Sequence, residues 1–276
     1  MKLLFIGGTG LISSACSELA AARGCELYIL NRSTSKKYPL PEGATPLKGD
    51  IHTDEAHLAS LLAGHHFDAV VDWIAFTSND IERDLRLFRD KTDQFVFISS
   101  ASAYQKPPKH YLITEETPLE NPFWEYSRNK IACENRLMDA YRAERFPVTI
   151  VRPSLTYGPT QIPLAMGSWA HPWTAVDRIR RGKKLIVPGD GTSLWVTTWN
   201  ADFAKGFAGL LGKKAAIGEA FHITRDEVLS WNKIVREIAA ALNAPEPEIV
   251  PVPTDFICQV APQMTGTLKG DKSHPG

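Results

Sequence analysis

A chain of 276 residues is long enough for one large domain, or for a domain with a smaller companion. Its 31 basic and 31 acidic residues cancel, which leaves no electrostatic footprint for nucleic acid or an anionic membrane surface. The four cysteines, Cys16, Cys25, Cys133 and Cys258, form no C-x-x-C pair and suggest no disulfide framework, so reduced thiols in a cytoplasmic protein are expected.

The first apolar run, residues 2–6, leads directly into Gly7-Gly8-Thr9-Gly10-Leu11-Ile12-Ser13 and a helical pattern over residues 14–23. It is too short for a leader peptide, and no apolar run approaches membrane-spanning length. A strand, a glycine turn and a helix are how a parallel α/β sheet offers backbone N–H groups and a helix N-terminus to a pyrophosphate. Gly7, Thr9, Gly10, Leu11 and Ile12 are therefore candidate dinucleotide contacts. The third glycine of the pattern is replaced by Ser13, and a small shift of the helix is expected from it.

Residues 26–30 form a second strand. Its end is where a carboxylate binds the adenosine ribose 2′-hydroxyl in NAD enzymes. This chain has Asn31 there, followed by Arg32. Loss of the carboxylate removes the repulsion of a 2′-phosphate, and Arg32 can pair with one bidentately, so NADP is the expected cofactor and NAD the alternative. Residues 54–63 read as a helix that Asp54 caps. Residues 68–73 read as a strand buried on both faces, and residues 79–89 as an amphipathic helix with Ile81, Leu85 and Phe88 on one stripe. A further buried strand at 94–98, a long helix at 126–143 and a strand at 148–151 complete an alternation that implies a doubly wound parallel sheet.

After Arg152-Pro153 the pattern changes. Proline, glycine and tryptophan become frequent between Gly158 and Trp173, and the basic stretch Arg178 to Lys184 reads as the solvated end of a helix. A short strand between turns is expected within residues 182–191. Helical residues 202–211, a strand at 220–223 and a capped helix at 230–242 follow. The tail from Leu268 is polar and expected to fray. The division that results is a dinucleotide-binding domain over residues 1–165, with 196–224 returning to it, and a small substrate lobe made of 166–195 and 225–276. None of the histidines has the spacing of a helical metal site, and no metal is expected.

Two further signals concern chemistry. In Tyr126-Ser127-Arg128-Asn129-Lys130 the tyrosine and lysine share a helix face. A cation beside a phenol favours the phenolate, lowering a pKa that is ordinarily about 10. A tyrosine so placed can give a proton to a carbonyl or take one from an alcohol. This pattern alone is common on helix surfaces. The strand at 94–98 runs into Ser99-Ser100-Ala101-Ser102-Ala103-Tyr104, and ligands of parallel sheets gather at strand carboxyl ends. Ser100 would face the site defined by the glycine turn.

With the glycine turn, this serine segment and Tyr126-x-x-x-Lys130 in place, the chain resembles an extended short-chain dehydrogenase/reductase of the NAD-dependent epimerase/dehydratase family. Arg152-Pro153-Ser154-Leu155-Thr156-Tyr157-Gly158-Pro159, Pro188-Gly189-Asp190-Gly191 and Asp202-Phe203-Ala204 extend the resemblance over nearly the whole chain. It implies an NAD(P)-binding Rossmann fold with a small C-terminal substrate lobe, here truncated or atypical. By the same resemblance Ser100, Tyr126 and Lys130 are the catalytic residues, and Tyr126 is the acid/base. Lys130 also binds the nicotinamide ribose, and Ser100 orients the reacting oxygen. Asp50 and Ile51 match the adenine contacts and Pro153 the nicotinamide side, while Trp73, Ile74 and Ala75 join the cofactor contacts.

Two departures narrow the expected reaction. The family's sugar dehydratases resemble one another in an Asp-Glu pair after the catalytic Ser/Thr, where this chain has Ala101-Ser102. The arginine that often grips a nucleotide diphosphate is matched by Trp195. Ser102, Trp124, Trp169 and Trp195 are candidate substrate contacts, and Trp73 could join the tryptophans that wall an apolar or planar pocket. For each tryptophan taken singly, core packing is the plainer reading. The expectation is an NAD(P)-dependent oxidoreductase acting on a carbonyl/alcohol pair of a small molecule. A sugar epimerase with tightly held cofactor is the alternative. A non-catalytic NADP-binding sensor or RNA-binding protein is the alternative of another class, which the retained Tyr-x-x-x-Lys pair disfavours. A homodimer pairing the helices at 79–89 and 126–143 is expected, with no nucleic-acid or membrane partner.

Overall fold

A computed structural model describes residues 1–33, 37–168 and 170–274. The elements in chain order are β1 (Lys2–Ile6), α1 (Ser13–Ala22), β2 (Glu26–Asn31), β3 (Thr45–Lys48), α2 (Glu55–Leu61), β4 (Ala69–Asp72), α3 (Ser78–Phe88), β5 (Phe95–Ile98), α4 (Glu125–Glu144), β6 (Val148–Pro153), β7 (Leu155–Tyr157), α5 (Thr174–Arg180), β8 (Leu185–Pro188), β9 (Leu194–Trp199), α6 (Asn200–Ala208), β10 (Ala220–Ile223), β11 (Val228–Ser230), α7 (Trp231–Ala241), β12 (Ile249–Val252) and α8 (Thr254–Val260). They divide into two units. The first holds Met1–Ser100, Asn129–Pro153 and Trp199–Ile223, and the second Ala101–Arg128, Ser154–Thr198 and Thr224–Gly276.

In the first unit the sheet order is β10-β6-β5-β4-β1-β2-β3, with parallel pairing throughout. Every residue of β4, β5 and β6 is buried, as strands covered on both faces must be. Side-chain alternation along β1 sends Leu4 and Ile6 to a core shared with Leu58, Ile81, Leu85, Phe88, Cys133 and Leu137. Leu3 and Phe5 go to the opposite core with Cys16, Ala20, Phe203 and Phe207. The chain runs outward from β1 to β3 and then returns to β4, so the strand order reverses between β1 and β4. That reversal opens a crevice beyond the strand carboxyl ends, the ligand position of this architecture.

Local chemistry fixes the helix starts. The Asp54 side chain accepts from His57 N–H, as expected. Thr77 and Asp80 form a reciprocal capping box that begins α3. β3 went unpredicted because Thr45-Pro46-Leu47-Lys48 is a largely exposed edge strand with no apolar run.

The second unit contains a three-stranded sheet, β11-β9-β7, and the parallel pair β12-β8. Its core gathers Ile179, Val187, Trp195, Trp231, Ile234 and Val235. The expectation of a frayed tail is corrected within this unit. Leu268 is fully buried beside Ile257 and Cys258, and Leu268–Lys272 forms a π-helical turn. Trp231 Nε1 donates to Lys272 O at 2.9 Å, and Asn121 Nδ2 donates to Gly270 O at 2.7 Å. A polar segment orders when buried donors need its carbonyls. No described helix is long and apolar enough to cross a membrane.

Candidate active site

The glycine turn is built by steric exclusion. Gly7 has φ +85°, and a Cβ there would lie 2.7 Å from Ile74 Cγ2. Ser13, in place of a third glycine, turns its hydroxyl into the loop. Its Oγ accepts from Gly10 N–H at 2.8 Å and donates to Gly7 O at 3.2 Å. Ser17 Oγ donates to Gly8 O, and Asn200 Nδ2 donates to Leu11 O. α1 then begins from Ile12 with no side-chain cap; Ser14 N–H turns back to Gly10 O, and the positive end of the helix dipole is left for an anion. This arrangement fits a pyrophosphate.

At the end of β2, Asn31 Oδ1 accepts from both the backbone N–H and the hydroxyl of Ser33. The Arg32 side chain is 68% exposed and stands 4.0 Å from Asp50 Oδ2. Asp50 accepts from His52 N–H, and Ile51 is buried in the core beside Leu58.

The ends of β4 and β5 enclose Lys130, which is 1% exposed. Its Nζ donates to Ala75 O at 2.7 Å and to Ile98 O at 2.8 Å. Burial lowers its pKa from 10.5 to about 8, against the opposing pull of Asp72, Glu134 and Asp80. Glu134, one turn further along α4, forms a buried bidentate pair with Arg152 at 3.0 and 2.6 Å and accepts from Ser99 Oγ. Ser100 follows β5 and is half-buried; Pro153 ends β6 and is buried. Trp73 packs its ring against Phe5 and Phe207.

In the second unit, Ser102 O accepts from Asn121 Nδ2, and Ser102 Oγ accepts from Ser127 Oγ at 2.9 Å. The Trp124 ring lies 4.8 Å from that of Tyr126, which stands in the first turn of α4, four residues before Lys130. Trp195 is 2% exposed, stacked on Trp231 at 4.9 Å and covered by the Lys272 ammonium at 4.0 Å. Trp169 lies outside the described residues.

The structure thus gathers the predicted cofactor residues, Ser100 and Lys130 at the carboxyl ends of one sheet. Ser102, Trp124 and Tyr126 surround the start of α4 in the second unit, while Trp195 is interior. The sequence reading missed Asp72, Asp84, Glu134 and Arg152. The spacing Tyr126, Lys130, Glu134 was the available signal for one of them.

A model of the NAD dependent epimerase/dehydratase family matches residues 3–224, and the chain belongs to that family. It is 26% identical over 261 residues to the chloroplast stem-loop binding protein of 41 kDa b of Arabidopsis thaliana, covering 90% of this chain but only 65% of that protein's length. It is 29% identical over 265 residues to the 2-alkyl-3-oxoalkanoate reductase of Stenotrophomonas maltophilia, covering 89% of this chain and 77% of the relative. Among solved structures, an epimerase from Methanothermobacter thermautotrophicus superposes with a TM-score of 0.78 at 20% identity, over 91% of this chain and 80% of the other, a likeness of fold.

Proposed function

We propose that this chain is a cytoplasmic NAD(P)-dependent oxidoreductase that interconverts a carbonyl and an alcohol of a small molecule. The observation that carries the reading is the buried Lys130 ammonium, fixed by two strand-end carbonyls one helical turn after Tyr126. Gly7, Thr9, Gly10, Leu11 and Ile12 would hold the pyrophosphate. Asn31 and Arg32 would hold the adenosine ribose, Asp50 and Ile51 the adenine, and Trp73, Ile74, Ala75 and Pro153 the nicotinamide side. When bound, the dinucleotide supplies or accepts the hydride.

The chain's own residues manage the proton. A cation one turn away favours the Tyr126 phenolate and so tunes its hydroxyl as acid or base toward the substrate oxygen. The Ser100 hydroxyl orients that oxygen by hydrogen bonding. NADP is the proposed cofactor because β2 ends in Asn31, without a carboxylate, and the exposed Arg32 guanidinium is only loosely held by Asp50. Ser102 and Trp124 are the proposed substrate contacts. A homodimer belongs to the same reading, and a monomeric mass in light scattering would count against it.

The test mixes the protein with NADPH and a panel of aldehydes and ketones, beside Tyr126→Phe. Turnover should fall at least about 100-fold in the variant while NADPH binding stays. Turnover of a nucleotide sugar without added free cofactor would instead indicate an epimerase. The name of the Arabidopsis relative favours a second reading, RNA binding, which the balanced charge of this chain opposes. Salt-dependent retention of an RNA hairpin, with no turnover of any carbonyl, would establish it.

A further inference from the structure

Behind the loop that receives Lys130 lies a largely buried cluster of charges. Asp72, the last residue of β4, is fully buried. Its Oδ1 accepts from the backbone N–H groups of Ile74 at 2.6 Å and Ala75 at 2.8 Å. Its Oδ2 accepts from Arg83 Nη2 at 3.2 Å. Arg83 grips Asp84 Oδ1 with Nε and Nη2 at 3.0 and 2.7 Å, and its Nη1 lies 3.1 Å from Asp80 Oδ1 and 3.2 Å from His52 Nδ1. Asp84 is also fully buried, and among the described residues no donor faces its Oδ2.

We propose that Asp72 is a positioning residue for Lys130: its carboxylate fixes the Ile74–Ala75 turn whose carbonyl receives the ammonium, and stands among the charges that favour that ammonium. The two roles act on one path. Asp72 Oδ1 holds the Ala75 N–H, and Ala75 O holds Lys130 Nζ. Asp84 plays a different part. Its buried Oδ2 meets no donor among the described residues, which favours the protonated carboxyl. Burial and the Asp72 charge hold the Asp84 carboxyl well above the usual carboxylate range. The other charges acting on Lys130 are Asp80, which shares the Arg83 guanidinium with Asp72, and Glu134, which Arg152 grips; the Cys133 thiol beside it is pushed up to about 12 by burial.

The inference rests on the proposed role of Lys130, so its test is read on the cofactor-free protein. Lysine labelled with 13C at Cε and 15N at Nζ is followed by NMR against pH, with Lys130→Met to assign the signal. In Asp72→Asn the Lys130 titration should fall from about 8 by about one pH unit, because a charge that favours the ammonium has gone. In Asp84→Asn it should move by less than about a third of a unit, since Asp84 is not among the charges that act on Lys130. A merely structural role would lower stability without moving the lysine. An unmoved lysine in Asp72→Asn overturns the proposal. So does an equal fall in Asp84→Asn, which keeps the test decisive should Asp72→Asn fail to fold. Absence of NADPH and NADH binding by the wild-type protein would count against the proposed function instead, whatever the lysine does.

Discussion

The burial of Lys130 makes a prediction about stability that needs no substrate. Its pKa falls from the ordinary 10.5 to about 8 in the folded chain. At about 1.4 kcal/mol per pH unit, the folded state carries a penalty of about 3 kcal/mol for the charged amine. Lys130→Met removes that penalty but takes a donor from Ala75 O and Ile98 O, at about 1–3 kcal/mol for each buried carbonyl left short. The two effects nearly cancel, so at pH 7 the variant should unfold within about 2 kcal/mol of wild type. Their pH dependence does not cancel. Below pH 8 the amine is charged in both the folded and the unfolded chain, and the penalty is complete. Between about 8 and 10.5 the folded chain has released the proton while the unfolded chain still binds it, so wild-type stability rises with pH. Urea unfolding of both proteins from pH 7 to 10.5 should therefore show the wild type gaining about 3 kcal/mol on the variant, at no more than about 1.4 kcal/mol per pH unit. Other titrations in this range are common to both proteins and drop out of the difference. A difference that stays flat over this range would show that the amine is hydrated, and would remove the physical basis for its tuning Tyr126.

Three further substitutions read other parts of the site. Glu134→Gln removes the charge that Arg152 grips with two nitrogens in the interior, and should cost about 3–5 kcal/mol, a fall in Tm of roughly 10 °C by calorimetry. Gly7→Ala forces an L-residue to φ +85° and a methyl against Ile74; it should lower Tm by about 4–8 °C, and a Tm equal to wild type would show that the turn is not constrained as described. Arg32→Ala should weaken NADPH binding about tenfold in a fluorescence titration while leaving NADH nearly unchanged, and equal losses for both would refute a 2′-phosphate contact.

What the sequence disclosed follows from which constraints are local. The glycine turn was legible because its steric need is met only by glycine, and β4 and β5 because strands covered on both faces carry apolar runs, in β4 up to its last residue. The Asp54 cap was legible because a cap acts three residues away. α3 shows the limit. Its stripe of Ile81, Leu85 and Phe88 was read correctly, but nothing in the sequence showed where the charged residues between them lie. Arg83 and Asp84 are buried, because β4 ends in an acid that faces them across the turn. A polar residue looks the same in a sequence whether water or an opposite charge satisfies it. The distinction belongs to the partner, which for Asp72 and Arg83 lies across a turn and for Gln94 and Gly212 lies 118 residues along the chain.

α4 shows how such cases could be recovered. Tyr126, Lys130 and Glu134 repeat at four-residue spacing, while Cys133, Leu137 and Ala140 on the same helix are fully buried. A polar row beside an apolar face that must meet the sheet cannot all be solvated. Two of its members must find partners at the strand ends, and Lys130 and Glu134 do so, on Ala75 and Ile98 in one case and Arg152 and Ser99 in the other. The row proposed to position the chemistry is therefore also the row that anchors α4 to the sheet, which is why changes there are expected to move stability and titration together.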